Sequence, residues 1–301
     1  AIGFKEIWEV DNDKHSPGDV VHSMGWPLKG GTSGGGFLYH FDNNRIAVGL
    51  IVDLNYSNPS HSPFQEFQQF KQHPSIKQFL ESGKRVSYGA RAITKGGINS
   101  LVKMEFDGGM IVGCDAGTLN PSKIKGSHCA LQSGILAAEY INKVLSEEVC
   151  DFDDLFKNSS LYKELYESRN FSAAMHKFGF YLGATYNFIE SNIFRNKLPF
   201  TIKDENRDCD SLSLSKSSPV KEYPAPDNVL SFDITSSLFL SGTNHEEDQP
   251  VHLKLTDEAI PLAHNKKLYD EPAQRYCPAG VYEIIEKDGE DYFQINAQNC
   301  L

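Results

Sequence analysis

The sequence is short of positive charge. Lys and Arg total 29 against 40 Asp and Glu, which gives a formal net charge of -11 at pH 7. Nucleic-acid phosphates require a basic surface, so this balance argues against nucleic acid as a partner. It also argues against attachment to a membrane through anionic lipid head groups. Any contact with lipid would then have to be apolar.

Other common signals are missing as well. Residues 1–8 contain no basic segment followed by an apolar one, so no signal peptide is predicted, and they read as a strand entered part-way through a domain. No G-x-G-x-x-G run opens the chain, so a dinucleotide site would be incomplete here. The cysteines are few and scattered, which favours a reducing compartment over a secreted disulfide framework. They are Cys114, Cys129, Cys150, Cys209, Cys277 and Cys300.

What is present indicates a globular chain of roughly two domains, with 301 residues of which 40% are hydrophobic. The β-branched run at 46–53 and the segment 37–41 predict strands. The apolar spacing over 64–79, interrupted by Pro74, predicts one or two short helices. A polar stretch at 203–221 reads as a linker.

The clearest supersecondary unit lies within residues 104–146. A short glycine-bounded strand at 109–113 is followed by a polar loop and then by a helix that opens at Gly126 and Ser127, with Ser127 as its expected N-cap. The helix is predicted from apolar residues at three-and-four spacing, namely Leu131, Ile135, Ala138, Ile141 and Leu145.

This unit has two interpretations. A helix N-terminus stabilises an anion, and reduced flavin concentrates negative charge near N1 and the C2 carbonyl. Asp115 could then accept a hydrogen bond from a ribityl or ribose hydroxyl. The alternative is an ordinary strand–turn–helix, and spacing alone favours it.

Three further features each leave two interpretations open. The glycine run at 34–36 lets the backbone approach a flat group closely, or it forms a strained entry into the next strand. The uncharged run 178–189 would make a helix of about 18 Å, short of the ~30 Å hydrocarbon core. It is therefore a buried core helix or an interfacial one, and the residues alone favour core.

The third feature is the pair Cys277 and Cys300. Cys277 is followed directly by Pro278, as iron–sulfur ligands often are, but two unrelated buried thiols would look the same. A metal site at His245 and His252 is disfavoured, since their seven-residue spacing fits neither a helix face nor a hairpin.

Long motifs along the whole chain resemble the electron transfer flavoprotein–ubiquinone oxidoreductase family. In the family's order they lie at 25–28, 34–40, 62–67, 73–76, 88–92, 123–128, 244–253, 269–283 and 294–300. The resemblance implies an α+β chain: part of an FAD-binding flavoprotein fold with a quinone-binding sheet domain and an incomplete ferredoxin-like domain. We expect the C-terminal half of a polypeptide about twice this length.

The resemblance also implies domain boundaries and site residues. It assigns 1–103 to quinone binding, 104–146 to the FAD-binding domain, 147–221 to a helical, membrane-contacting segment with linker, and 222–301 to the truncated iron–sulfur domain. The implied sites are quinone contacts at Gly34 and Gly35, flavin contacts at Gly113, Asp115, Gly117, Thr118, Gly126 and Ser127, and cluster ligands at Cys277 and Cys300.

The implied activity is electron transfer from reduced electron transfer flavoprotein to ubiquinone. FAD and a [4Fe–4S] cluster would be the carriers, on the cytoplasmic face of a bacterial plasma membrane or the matrix face of the mitochondrial inner membrane. The resemblance assigns 178–189 to a segment that dips into the membrane without spanning it, which reverses the preference for core. The isolated chain is expected to be inactive. The alternatives are a flavin-dependent reductase of the geranylgeranyl-reductase type and a stand-alone quinone- or lipid-binding module.

Overall fold

The computed structural model describes residues 1–29, 31–204, 206–246 and 248–301. The strands are β1 (Ile2–Glu9), β2 (Val20–Met24), β3 (Gly34–Phe41), β4 (Arg45–Val52), β5 (Lys84–Ala92), β6 (Glu105–Phe106), β7 (Gly109–Met110), β8 (Tyr282–Lys287) and β9 (Glu290–Ile295). The helices are α1 (Pro63–Lys71), α2 (Pro74–Leu80), α3 (Ser127–Leu145), α4 (Phe152–Lys157), α5 (Ser160–Glu167), α6 (Phe171–Asn192), α7 (Ile234–Phe239), α8 (Lys267–Tyr269) and α9 (Ala273–Tyr276).

The chain forms two compact units. The described residues of 2–92 and 206–301 make one, here called the sheet unit. Those of 93–204, with Ala1, make the other, here called the helical unit. The predicted mixture of helix and sheet is thus confirmed.

An antiparallel sheet in the order β2-β3-β4-β1-β5 organises the sheet unit. Side chains along β1 alternate between buried and more exposed, as expected for a strand with one face in the core. The predicted strands at 37–41 and 46–53 are confirmed as parts of β3 and β4. The predicted short helices are α1 and α2, which separate where His73 and Pro74 start a new helix.

A buried carboxylate joins the sheet to α1. Glu6 on β1 accepts hydrogen bonds from Lys71 Nζ at 2.8 and 2.9 Å, from Arg85 Nη1 at 3.1 Å and from Trp8 Nε1 at 2.9 Å. Glu6, Lys71 and Arg85 are all buried. Burial lowers the pKa of Lys71 to about 8, with the Glu6 carboxylate opposing that shift, so the ammonium stays charged at neutral pH.

In the helical unit, helices α3, α4 and α5 pack around a core that includes Cys129, Phe152, Leu161 and Leu165. The predicted strand at 109–113 is shorter than expected: β7 ends at Met110, and Gly113–Ala116 is a 3-10 turn. The predicted N-cap at Ser127 is wrong, because Gly126 occupies that position and Ser127 is already helical.

We expect Glu6→Ala to lower the free energy of unfolding by about 3–5 kcal/mol, because it leaves two cations buried without a carboxylate. Glu9→Ala is the matched control on the same strand. Glu9 pairs with exposed Arg45 at 3.0 Å, and such surface pairs contribute only about 0–1 kcal/mol. Urea unfolding of the three proteins measures the difference. Equal losses in the two variants would contradict the assignment of Glu6 as the central buried charge.

Candidate functional site

Cys277 and Cys300 lie at the base of the β8–β9 hairpin. Cys277 is buried at the end of α9, and Cys300 follows a 3-10 turn at Ala297–Asn299. Both side chains belong to one apolar cluster with Ala279 and Val281. Burial, followed by the neighbouring Cys277 sulfur, raises the pKa of Cys300. The structure therefore brings together the two cysteines predicted as ligands.

Backbone geometry turns one donor towards the Cys277 sulfur. Gly280 has φ 62°, a left-handed conformation that glycine adopts without strain, and the turn lets Val281 N donate to Cys277 Sγ at 3.4 Å. His245 Nε2 donates to the Cys300 carbonyl at 2.7 Å. His245 and His252 have ring centroids 6.0 Å apart.

A hydrogen bond links this cysteine site to the five-stranded sheet. Tyr88 on β5 donates its hydroxyl proton to the carbonyl of Pro278 at 2.8 Å, one residue after Cys277. On the same strand, Arg85 Nη1 donates to Ser237 Oγ of α7 at 2.7 Å. The cysteine site and the sheet therefore belong to one packed structure.

The glycine run opens β3. A Cβ at Gly34 would lie 2.2 Å from the Ile51 carbonyl oxygen, and one at Gly35 would lie 2.4 Å from the Ser23 carbonyl oxygen. At Gly36 it would lie 2.2 Å from Phe70 Cζ on α1. The packing of neighbouring strands and of α1 thus already requires glycine at these positions, whatever else approaches the backbone.

The predicted flavin-contact segment forms a tight loop in the helical unit. Gly113 N donates to Ser133 Oγ at 2.8 Å, and Gly117 N, at φ 91°, donates to the Cys114 carbonyl at 2.9 Å. These two amides are therefore occupied within the loop. Thr118 is fully buried, and its hydroxyl has no hydrogen-bond partner among the described residues.

The start of α3 presents a different set of groups. No side chain caps its N-terminus, and the side chains of Asp115 and Ser127 are exposed, whereas Cys129 in the first turn is buried. The amides of an uncapped first turn retain the capacity to bind an anion. A flavin contact at Asp115 or Ser127 stays a prediction.

Sequence reasoning missed a polar group beside this loop. Glu164 on α5 accepts hydrogen bonds from His128 Nε2 at 2.7 Å and Asn120 Nδ2 at 2.8 Å, and Lys123 Nζ lies 3.0 Å away. Burial alone would raise the pKa of Glu164, but these partners outweigh it and lower the pKa to about 2. The group ties α5 to the loop, and the 36-residue separation of His128 and Glu164 gives no signal in the sequence.

The apolar run around 178–189 does not form one straight helix. Gly179 interrupts α6 with φ 72° and ψ -177°, and the two arms fold back on each other. Asn187 Nδ2 donates to the Phe171 carbonyl at 3.1 Å, and a Cβ on Gly183 would lie 2.8 Å from the Ala174 carbonyl oxygen. We call residues 171–194 the apolar hairpin.

Polar side chains close the base of the apolar hairpin. Asn170 Nδ2 donates to buried Glu190 Oε1 at 2.7 Å, and Ile202 N donates to Asn170 Oδ1 at 2.8 Å. The second arm instead exposes a row of apolar side chains at helical spacing. Tyr181 is 82% exposed and Leu182 70%, and the row continues through Phe188, Ile189 and Ile193. Within the described part of the chain, no helix is both long and apolar enough to cross a bilayer.

Residues 1–93 match the family model described as ETF-QO, ubiquinone-binding. Residues 228–301 match the model described as electron transfer flavoprotein-ubiquinone oxidoreductase, 4Fe-4S. The electron transfer flavoprotein-ubiquinone oxidoreductase of Pseudomonas aeruginosa is 58% identical over 100% of this chain and 56% of its own length. The mitochondrial protein of the same name from Sus scrofa is 48% identical over 100% of this chain and 51% of its own length.

The chain belongs to the electron transfer flavoprotein–ubiquinone oxidoreductase family. It spans about half the length of these curated relatives. Among solved structures, that of the flavin-dependent brominase Bmp2 is 16% identical with a TM-score of 0.38, covering 65% of this chain and 48% of that chain.

The family prediction is confirmed. The ubiquinone-binding model falls on the strands β1–β5, and the 4Fe-4S model contains Cys277 and Cys300. The domain boundaries expected from the sequence, and the roles of single residues in contacting quinone, flavin or cluster, stay predictions.

We expect Gly36→Ala to destabilise the protein by about 1–3 kcal/mol, because buried Phe70 leaves no space for the added methyl group. The matched control is Gly89→Ala on β5, where an added Cβ meets nothing within 4 Å. Thermal unfolding of both variants and of the parent measures the loss of stability that each substitution causes. If Gly36→Ala unfolds like the parent while keeping its fold, the steric account of the glycine run is wrong.

Proposed function

We propose that the protein, in its full natural length, passes electrons from reduced electron transfer flavoprotein to ubiquinone. One observation carries this proposal: the sheet that matches the ubiquinone-binding model and the segment that matches the 4Fe-4S model form one packed unit. Tyr88 and Arg85 on β5 bind this segment beside Cys277. Electron transfer between two carriers requires a fixed distance between them, and this packing would hold that distance constant.

Cys277 and Cys300 are suited to ligate two of the four iron atoms of a [4Fe–4S] cluster. A protein-held cluster of this type takes four thiolates, so two more are expected from sequence outside these 301 residues. When bound, the cluster supplies one-electron transfer. The Val281 amide would stabilise negative charge on Cys277 sulfur, and the apolar wall of Ala279 and Val281 would limit water around it.

FAD fits the accessible start of α3. The first-turn amides would stabilise negative charge on the bound group, and buried Thr118 offers a hydroxyl without a partner among the described residues. Gly113, Gly117 and Gly126 would let the loop approach the cofactor without a Cβ in the way. Asp115 and Ser127 are exposed and would bind hydroxyl or phosphate groups. When bound, FAD supplies two-electron chemistry.

Ubiquinone would contact the backbone at Gly34 and Gly35, where β3 begins. Reduction of the quinone consumes two electrons and two protons and gives the quinol. The absence of side chains lets a flat ring approach the peptide groups there. The quinone tail is lipid-soluble, so this end of the sheet has to be reached from a bilayer.

The apolar hairpin is the surface best suited to meet that bilayer. A helix that exposes Tyr181, Leu182 and Phe188 along one row is stabilised when that apolar row is buried at the boundary between head groups and acyl chains. We infer peripheral attachment, on the cytoplasmic face of a bacterial plasma membrane or the matrix face of the mitochondrial inner membrane. One of the two relatives named above is bacterial and the other is mitochondrial.

The activity is tested with the full-length protein, reduced electron transfer flavoprotein and a short-chain ubiquinone. We expect quinol formation that is lost in Cys277→Ser and Cys300→Ser, together with the iron and the iron–sulfur absorbance. Cys209→Ser is the matched control, since Cys209 is exposed and lies outside the cysteine site. Full iron content in both ligand variants would contradict the ligand assignment. Reduction of lipid double bonds without quinone reduction would instead favour a reductase of the geranylgeranyl type.

For the hairpin, we expect Leu182→Asp to weaken cosedimentation with phosphatidylcholine vesicles about tenfold or more. The substitution removes a leucine whose burial stabilises by about 1.5–3 kcal/mol and adds a charge. Phe239→Asp in the sheet unit is the control, at an apolar residue that is 84% exposed, and this variant should bind as the parent does. If both variants sediment like the parent, lipid contact through the hairpin is wrong.

A further inference from the structure

The apolar hairpin has a local charge opposite to that of the whole chain. The net charge of the chain is -11, yet between residues 170 and 203 the only acidic residue is Glu190. The same stretch contains four basic residues, Lys177, Arg195, Lys197 and Lys203. The segment is therefore locally basic in a protein whose net charge is negative.

Neither Glu190 nor Asp204, which directly follows this stretch, is a free acid at the surface of the hairpin. Asp204 accepts a hydrogen bond from His176 Nδ1 at 2.5 Å. Glu190 is buried at the base of the hairpin, where Asn170 Nδ2 donates to its carboxylate at 2.7 Å. Lys177, Arg195 and Lys197 are exposed instead. In the described part of the chain none of these three has a carboxylate within ion-pair distance. By contrast, the partly exposed Arg45 and Lys143 do pair with carboxylates.

The free cations stand at both ends of the exposed apolar row. Lys177 lies two residues before the Gly179 reversal, and Arg195 and Lys197 follow the end of the second arm. Between them the arm from Phe180 to Asn192 is about 20 Å long at 1.5 Å per residue. If the hairpin pointed into the bilayer, Lys177 would enter hydrocarbon. If the arm lies along the surface, every cation stays at the level of the head groups.

We propose that the apolar hairpin binds bilayers that contain anionic phospholipid, with Lys177, Arg195 and Lys197 contacting the head-group phosphates. This inference rests on the proposed membrane contact and adds a lipid class to it. It replaces the expectation drawn from net charge alone, that lipid contact would be purely apolar, because exposed cations flank the apolar row. Exposed apolar side chains flanked by basic ones are the pattern of an interfacial helix on an anionic surface. Acidic residues more than about 10 Å away oppose it only weakly, because charges at that separation are largely screened at 0.1 M salt.

The test compares full-length protein on vesicles of phosphatidylcholine alone and of phosphatidylcholine mixed with phosphatidylglycerol. Each basic side chain near an anionic surface adds about a fivefold gain in affinity, so three together give on the order of 100-fold. We expect the parent to prefer the mixed vesicles by that order. The triple variant Lys177→Gln, Arg195→Gln, Lys197→Gln should lose this preference and keep its binding to pure phosphatidylcholine.

The control replaces three exposed lysines elsewhere, Lys103→Gln, Lys216→Gln and Lys254→Gln, which changes the net charge equally and should leave the preference intact. Equal binding of the parent to both vesicle types, or a triple variant that keeps the preference, overturns the lipid-class inference alone. No binding of the parent to either vesicle overturns the membrane contact itself. If the triple variant binds both vesicle types as the parent does and loses binding only to an acidic protein partner, the cations bind that protein. The lipid inference is then wrong.

Discussion

The buried carboxylate of Glu6 is the interaction on which the sheet unit depends. It joins β1, α1 and β5 through Lys71 and Arg85, and two cations share its single negative charge. Aromatic rings help to solvate the surplus charge: Arg85 Cζ lies 3.7 Å from the ring centroid of Phe232, and Lys71 Nζ lies 5.2 Å from it. Removing each ion from water costs several kcal/mol, so a buried ion needs a complete set of hydrogen-bonding and charged partners. No one of these elements satisfies the group alone, so sheet, helix and C-terminal segment have to assemble together.

This coupling has a functional consequence, because Phe232 and Ser237 precede the cysteine site in the same segment. The ion group fixes one end of that segment on the sheet, and the hydrogen bond from Tyr88 to Pro278 fixes the other beside Cys277. A redox group held by Cys277 would then stay at a constant distance from the strand that contains Tyr88. The buried charges are therefore best understood as the means of docking the C-terminal segment on the sheet, rather than as a local source of stability.

Sequence reasoning succeeded where the determining forces are local. The β-branched run of β4 and the proline that separates α1 from α2 each identify their structure within a few residues. It failed where partners are distant, as for Glu6 with Lys71 or His128 with Glu164. At the hairpin it failed for another reason. A glycine inside an apolar run is usually tolerated in a helix, and only the tertiary contact at Gly183 shows that Gly179 reverses the chain.

The glycine run illustrates how a structural and a functional cause can coincide. Gly34, Gly35 and Gly36 have no room for a Cβ, because strand backbones and Phe70 occupy that space. The family resemblance assigns the first two a quinone contact, and an approach of peptide groups to a flat ring needs the same absence of side chains. Loss of activity on substitution at Gly34 therefore cannot by itself separate damaged packing from lost quinone binding. Gly36 can serve as the reference, since the resemblance gives it no quinone contact and the structure gives it the same steric constraint. A Gly34 variant that loses quinone binding at no greater cost in stability than a Gly36 variant would isolate the contribution of the ligand.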